Sequence, residues 1–156
     1  MKYARLTKEQ LEELHPEFIN FLAAQTITKA EWDQIKKDTP NVAEELLDVF
    51  SDLIWEGALS KAKYLQNISD QQLFLFKLNE DSMQLLLVKT SAKIAFTSQE
   101  GLDWLAENLH TDNVELFTAT KNYSSEPQLD AFKLIQQGAA ICEGNLYESL
   151  LKAINQ

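Results

Sequence analysis

The chain has 156 residues, 45% hydrophobic and 24% charged, a length that can bury about two thirds of its unfolded surface and a composition that excludes disorder and fibrous repeats. Its formal net charge of −10, from 24 Asp+Glu against 14 Lys+Arg, repels phosphate backbones and anionic headgroups, so no direct nucleic-acid contact is expected. The longest apolar stretch, Leu85 to Val88, falls far short of the ~20 residues of a membrane span, and a single cysteine, Cys142, forbids an intramolecular disulfide and a Cys-based zinc site.

The first residues, Met1 to Glu9, turn charged at once and carry no apolar run before a small-residue cleavage site, which points to a cytoplasmic protein. Thr7 followed by Gln10 reads as a capping box that opens a helix with Leu11, Leu14, Phe18, Phe21 and Leu22 at helical spacing. Pro16 interrupts that pattern and predicts a kink or a new helix start near His15. Thr28 with Glu31 is a second capping box, with Trp32 and Ile35 as the buried face of a short helix. Thr39-Pro40 opens a long helix that ends between Gly57 and Lys63.

After Ser60 the period changes. Residues Ala62 to Ile68, Leu73 to Leu78 and Met83 to Lys89 read as three strands, the last two joined by the polar turn Asn79 to Ser82. Leu73 to Phe76 and Leu85 to Val88 are apolar on both faces, as in strands covered on both sides. From Ile94 the pattern alternates: strand Ile94 to Phe96, helix Ser98 to Leu109, strand Val114 to Thr118, helix Glu126 to Gln137, strand Ala139 to Cys142, helix Asn145 to Ile154. Single helices between strands favour parallel pairing. The expected fold is therefore α+β in one domain, 1–156: a helical layer over 1–61, then a mixed sheet with helices over 62–156.

Two helix faces combine acids with a tryptophan. Between Asp38 and Ser60 there are six carboxylates and no Lys or Arg. At ~100° per residue, Glu44, Asp48, Asp52 and Glu56 form a drifting stripe, with Trp55 between Glu44 and Asp48 and Leu59 beside Asp52. Each like-charged i,i+4 pair costs a few tenths of a kcal/mol, a cost that something is expected to compensate. From Thr97 to Thr120 there are five more acids and again no Lys or Arg. There Leu102, Leu105, Ala106 and Leu109 make the core stripe, and Trp104 falls near Glu100 and Glu107 on the other side. An aromatic ring among carboxylates suits a basic or amphipathic protein partner, or a second copy of the chain.

Other chemistries find little footing. No loop has the acid and glycine pattern of an EF-hand, and the single Glu12-to-His15 spacing does not make a di-iron site, so neither metal nor cofactor is expected. Cys142 precedes a helix, but nothing sets His15 or His110 beside it, and Glu143 opposes a thiolate; it reads as structural. Four glycines supply neither a P-loop nor a dinucleotide turn. No catalytic constellation is identifiable. If the last three strands were parallel, the loops after Phe96, Thr118 and Cys142 would form a small-ligand or phosphate site. A third reading has the acidic surface imitating nucleic acid.

Leu6 to Gln10 through His15, Phe18 to Ala23 with Glu31-Trp32, the block Asp48 to Gly57, and Gly144-Asn145-Leu146-Tyr147 together resemble an uncharacterised family of small single-domain proteins from Bacteroidota, especially flavobacteria. The resemblance spans nearly the whole chain and implies a bacterial protein of unknown function; it brings no activity, cofactor or catalytic residue. The leading expectation is a non-enzymatic interaction module that binds through Asp48, Asp52, Trp55 and Glu56, and through Glu100, Trp104 and Glu107.

Overall fold

Capping residues set the first helices. Thr7 begins α1 (Lys8–Glu13): its Oγ1 accepts the Gln10 amide at 3.1 Å, and Gln10 Oε1 accepts the Thr7 amide at 2.9 Å. Pro16 lies in the first turn of α2 (His15–Ala24), where a missing N–H has no intrahelical acceptor to lose. The proline thus starts a helix. Thr28 caps α3 (Lys29–Asp38) by accepting the Glu31 amide at 3.1 Å, but Glu31 returns to the Thr28 hydroxyl instead of its backbone, so the expected box is half formed. The fourth helix, α4 (Pro40–Lys61), has 22 residues.

This computed structural model describes residues 1–156, and its contacts cluster into two units, Met1–Ser60 and Lys61–Gln156. The core of the first unit gathers Leu6, Phe18, Leu22, Trp32, Ala43 and Phe50. Phe18 is its hub, with ring centroids 5.0 Å from Trp32 and 5.1 Å from Phe50, both edge-on.

The second unit holds β1 (Tyr64–Ile68), β2 (Gln72–Leu78), β3 (Ser82–Thr90), α5 (Gln99–Asn108), β4 (Val114–Asn122), α6 (Pro127–Gln136), β5 (Ala140–Cys142) and α7 (Asn145–Ile154). The fold class is α+β as expected, and the sheet order is β4-β3-β2-β1-β5. The predicted parallel pairing does not occur. All four strand pairs are antiparallel, because β4 adds beside β3 and β5 returns to the far edge beside β1.

The predicted strand Ile94 to Phe96 is a loop. Thr90 Oγ1 donates to Asn113 O at 2.8 Å, Gln71 Nε2 to Ala92 O at 2.9 Å, and the Phe96 amide to Asp70 O at 2.8 Å. The last two bonds tie the segment to the β1–β2 turn, and it joins no ladder. Phe96 instead enters a core with Leu73, Leu75, Leu86 and Val88 from one sheet face, Leu105 and Leu109 from α5, and Tyr147 and Leu150 from α7. On α5, Gly101 is buried and Ala106 is exposed, so the core stripe is turned from its expected position toward Gly101. The cause is close packing of Gly101 against the Ala95–Phe96 backbone.

Candidate functional site

The acidic stripe of α4 already carries a basic, aromatic-bearing segment: the chain's own N-terminus. Both oxygens of Asp52 accept backbone amides, from Lys2 at 2.7 Å and Tyr3 at 2.9 Å. Arg5 Nε donates to Asp48 Oδ1 at 2.7 Å, and its Nη1 lies 4.0 Å from Glu44 Oε1. Lys2 Nζ approaches Glu56 Oε2 at 3.4 Å, and the Tyr3 hydroxyl donates to the same carboxylate. At the bottom of the seat, buried Ser51 accepts the Leu6 amide at 3.1 Å and donates to Leu47 O at 2.7 Å, so its hydroxyl is fully used.

The side chains that turn in and those that turn out each recur at an interval of three. Tyr3 and Leu6 turn inward and are buried, while Lys2 and Arg5 reach the acids. Burial of Leu6 alone is worth about 1.5–3 kcal/mol, whereas solvent-exposed ion pairs such as Lys2–Glu56 are screened and add little. Apolar burial therefore sets the strength of the strap, and the charges set its register. Trp55, half-buried, packs on the same core. The like-charged spacing along α4 is compensated within the chain.

The strap depends on pH at both ends. The Tyr3 hydroxyl is the main cause that holds the Glu56 carboxyl below its ordinary 4.5, while burial first, and then the Glu56 hydrogen bond, raises the Tyr3 phenol above 10.0. The Glu56 contribution is complete above 4.5 and is lost as pH falls through the lower folded value. The Tyr3 contribution is complete below 10.0 and is lost as pH rises through the higher folded value. The Lys2 and Tyr3 amide resonances are expected to hold steady across neutral pH and to move toward random-coil positions at both extremes. A single transition, or none, in a pH series of amide spectra contradicts this linkage.

The second tryptophan face is arranged differently. Trp104 is half-buried and packs against the core of the second unit, and Asn108 Nδ2 donates to its carbonyl at 2.9 Å. Glu100 and Glu107 are exposed. These residues make no seat comparable to that on α4.

The loops expected to hold a small ligand do not converge. Phe96 sits at the end of the sheet where β1 finishes, while β4 and β5 end at Asn122 and Cys142, at the opposite end and on opposite edges. Four strand spacings of ~4.8 Å separate those edges by about 19 Å. Cys142 is half-buried in register with Tyr64, and His110 engages Ala153 O at 3.2 Å.

A polar cluster that sequence reasoning missed lies at the start of β1. Tyr64 OH donates to Glu148 Oε1 at 2.6 Å, and Lys77 Nζ lies 3.1 Å from the same oxygen. The carboxylate raises both Tyr64 and Lys77, and these two donors, Tyr64 first, lower Glu148. The shifts hold Tyr64 and Lys77 in their protonated forms and make the Glu148 carboxylate a weaker base, the opposite of tuning for acid–base work near neutral pH. The cluster works as a lock. Gly144 makes room for it, since its positive φ of 86° and a Cβ placed 2.4 Å from the Tyr64 ring exclude a side chain there.

On the outer side of α4, Val42, Val49 and Leu53 are 42%, 51% and 57% exposed. With half-buried Leu46 they recur at intervals of four, three and four, the spacing of a coiled-coil seam. Gly57 continues the row and has nothing within 4 Å of a Cβ. The 4-3-4 spacing is present in the sequence, interleaved with the acids.

No helix is long and apolar enough to cross a membrane, and no group of three or more His, Cys, Asp or Glu side chains converges as a metal site. Comparison with curated proteins and with solved structures returns no match. A model for a family of unknown function, DUF6495, matches residues 1–155, and the chain belongs to that family.

Proposed function

We propose that the protein is a non-enzymatic interaction module whose α4 seam receives a basic amphipathic helix from a protein partner. The observation that carries this reading is the exposed row Val42, Val49 and Leu53. Isolated exposed aliphatics need no explanation, but three on one helical row form a patch of the kind partners cover. From Val42 to Leu53 the row runs about 16 Å, three helical turns, enough to seat a short helix.

Charge selects the occupant. Glu56 and exposed Glu45 flank the row, with Asp52 further round the same side, and the first unit carries twelve acids against six bases. A partner with Leu or Ile along one face and Lys or Arg beside it fits both features. A second copy would bring acids against acids. Relative to the sequence expectation, the surface has moved round the helix, because Asp48, Asp52 and Glu56 hold the strap.

A labelled, basic amphipathic helical peptide tests the reading by fluorescence anisotropy. Leu53→Asp is expected to weaken binding at least tenfold, since loss of one buried leucine contact removes about 1.5–3 kcal/mol. Its thermal stability should stay near wild type because Leu53 is exposed. Affinity should also fall with added salt. Equal affinity for wild type and Leu53→Asp, or sedimentation showing that the row instead joins two copies, would defeat the proposal.

A further inference from the structure

The sheet face away from α5 and α7 carries a groove of about 440 Å³ beside α6, within the second unit. Its floor follows from strand register. Phe76 pairs with Leu85 and Leu85 with Ala119, so one cross-strand row ends in a small residue on the edge strand β4. The next row places Met83 beside Lys121. Leu134 of α6 lines the opposite side. Ala119 thus leaves a hollow between sheet and helix, and that volume lies within the range of small-molecule sites, about 300–1,000 Å³. A smaller hollow of about 150 Å³ shares Phe76, Leu134 and Gln137 with it and extends the apolar surface toward Phe74.

The charged lining gives the groove a sign. Lys121 from β4 and Lys133 from α6 both border it, and neither forms an ion pair. The one acid on the rim, Asp130, is otherwise engaged: its two oxygens accept the Ser124 amide at 2.7 Å and the Ser124 hydroxyl at 2.8 Å, which pins the β4–α6 connection. In a chain of net charge −10, two unpaired ammonium groups over an apolar floor are a local reversal of sign.

We propose that this groove binds a small amphipathic carboxylate: an apolar body over Phe76, Leu85 and Ala119, with its anionic head between Lys121 and Lys133. The floor supplies burial and the lysines read the head, the usual division of labour in ligand pockets. This site is independent of the α4 seam and differs from the loop site expected from sequence.

Decanoate is the probe, followed by amide and methyl spectra of the full chain, with decanol and a decyl trimethylammonium salt as controls. Saturable shifts at Met83, Leu85, Ala119 and Leu134 are expected, with decanol and the cation binding at least tenfold more weakly. The pair Lys121→Glu and Lys133→Glu should weaken decanoate at least tenfold. Ala119→Leu, at an exposed position that fills the hollow, should abolish the shifts without unfolding the sheet. Equal binding of decanol, unchanged affinity in the double lysine variant, or shifts that never saturate would overturn the proposal.

Discussion

Replacing Gly101 by alanine is expected to destabilise the second unit by about 3 kcal/mol, at the upper end of overpacking costs. A Cβ there would lie 1.8 Å from Ala95 O and 2.4 Å from Ala95 C, and both are backbone atoms that cannot swing aside. Relief would require the 95–96 backbone to move, although the Phe96 amide is held by Asp70 O and its ring is buried in the core. The same substitution at Gly57 should have the opposite sign. That helix position is exposed with nothing near a Cβ, so alanine should add about 0.5–1 kcal/mol through backbone entropy. Amide exchange in β2 and β3 under mild urea reads the first change, and exchange in α4 reads the second. Unchanged protection of β2 and β3 in the Gly101 variant would contradict the packing argument.

Phe18→Ala is expected to remove most of the stability of the first unit. Truncation of a buried phenylalanine costs about 3–5 kcal/mol, and edge-on ring pairs such as those with Trp32 and Phe50 add about 0.5–1.5 kcal/mol each. A unit of roughly sixty residues has only about 3–9 kcal/mol to lose at typical stability per residue. Since Phe50 belongs to α4, loosening this core should also release the strap, seen as lost exchange protection of the Lys2 and Tyr3 amides. Phe18→Leu keeps the apolar volume and should retain both the fold and the strap. A fully protected strap in Phe18→Ala would show that the seat stands without the aromatic core.

Much of the helical half was legible because its signals are local. Thr7, Thr28 and Pro40 announce helix starts through their own backbone chemistry, and Pro16 marks a boundary for the same reason. The hairpin strands were legible from composition and from the polar turn at Asn79 to Ser82, where the Asn79 amide donates to Ser82 O at 2.9 Å. Sheet topology was harder to read. Alternation of strand and helix is compatible with either edge of a sheet, and β5, only three residues long, pairs with β1 through the Leu65–Ile141 register. Residues Ile94 to Phe96 carry strand propensity, but hydrogen bonds distant in sequence, to Asp70 and Gln71, decide their conformation.

The acidic stripe was visible, and so was the cost of its like-charged spacing; the segment that covers it was not. The signal was there: Lys2 and Arg5 are interleaved with Tyr3 and Leu6 in a segment without helical periodicity, preceding a helix that has no base between Pro40 and Ser60. Opposite charge in two segments of one chain is a reason to pair them before invoking another molecule. The role of Ser51 was not legible, because a serine among apolar residues reads the same whether or not a strap reaches it.

In the proposed function α4 works on two faces, one closed by residues 2–6 and one open to a partner. Titration of isotope-labelled protein with the basic amphipathic peptide, followed at the Val42, Val49 and Leu53 methyls and at the Lys2 and Tyr3 amides, tests it most directly. Progressive methyl shifts along the row are expected while the two amides remain unmoved and protected. Displacement of the Lys2 and Tyr3 amides with an unaffected row would contradict it, because the partner would then be taking the strap's place on the acids.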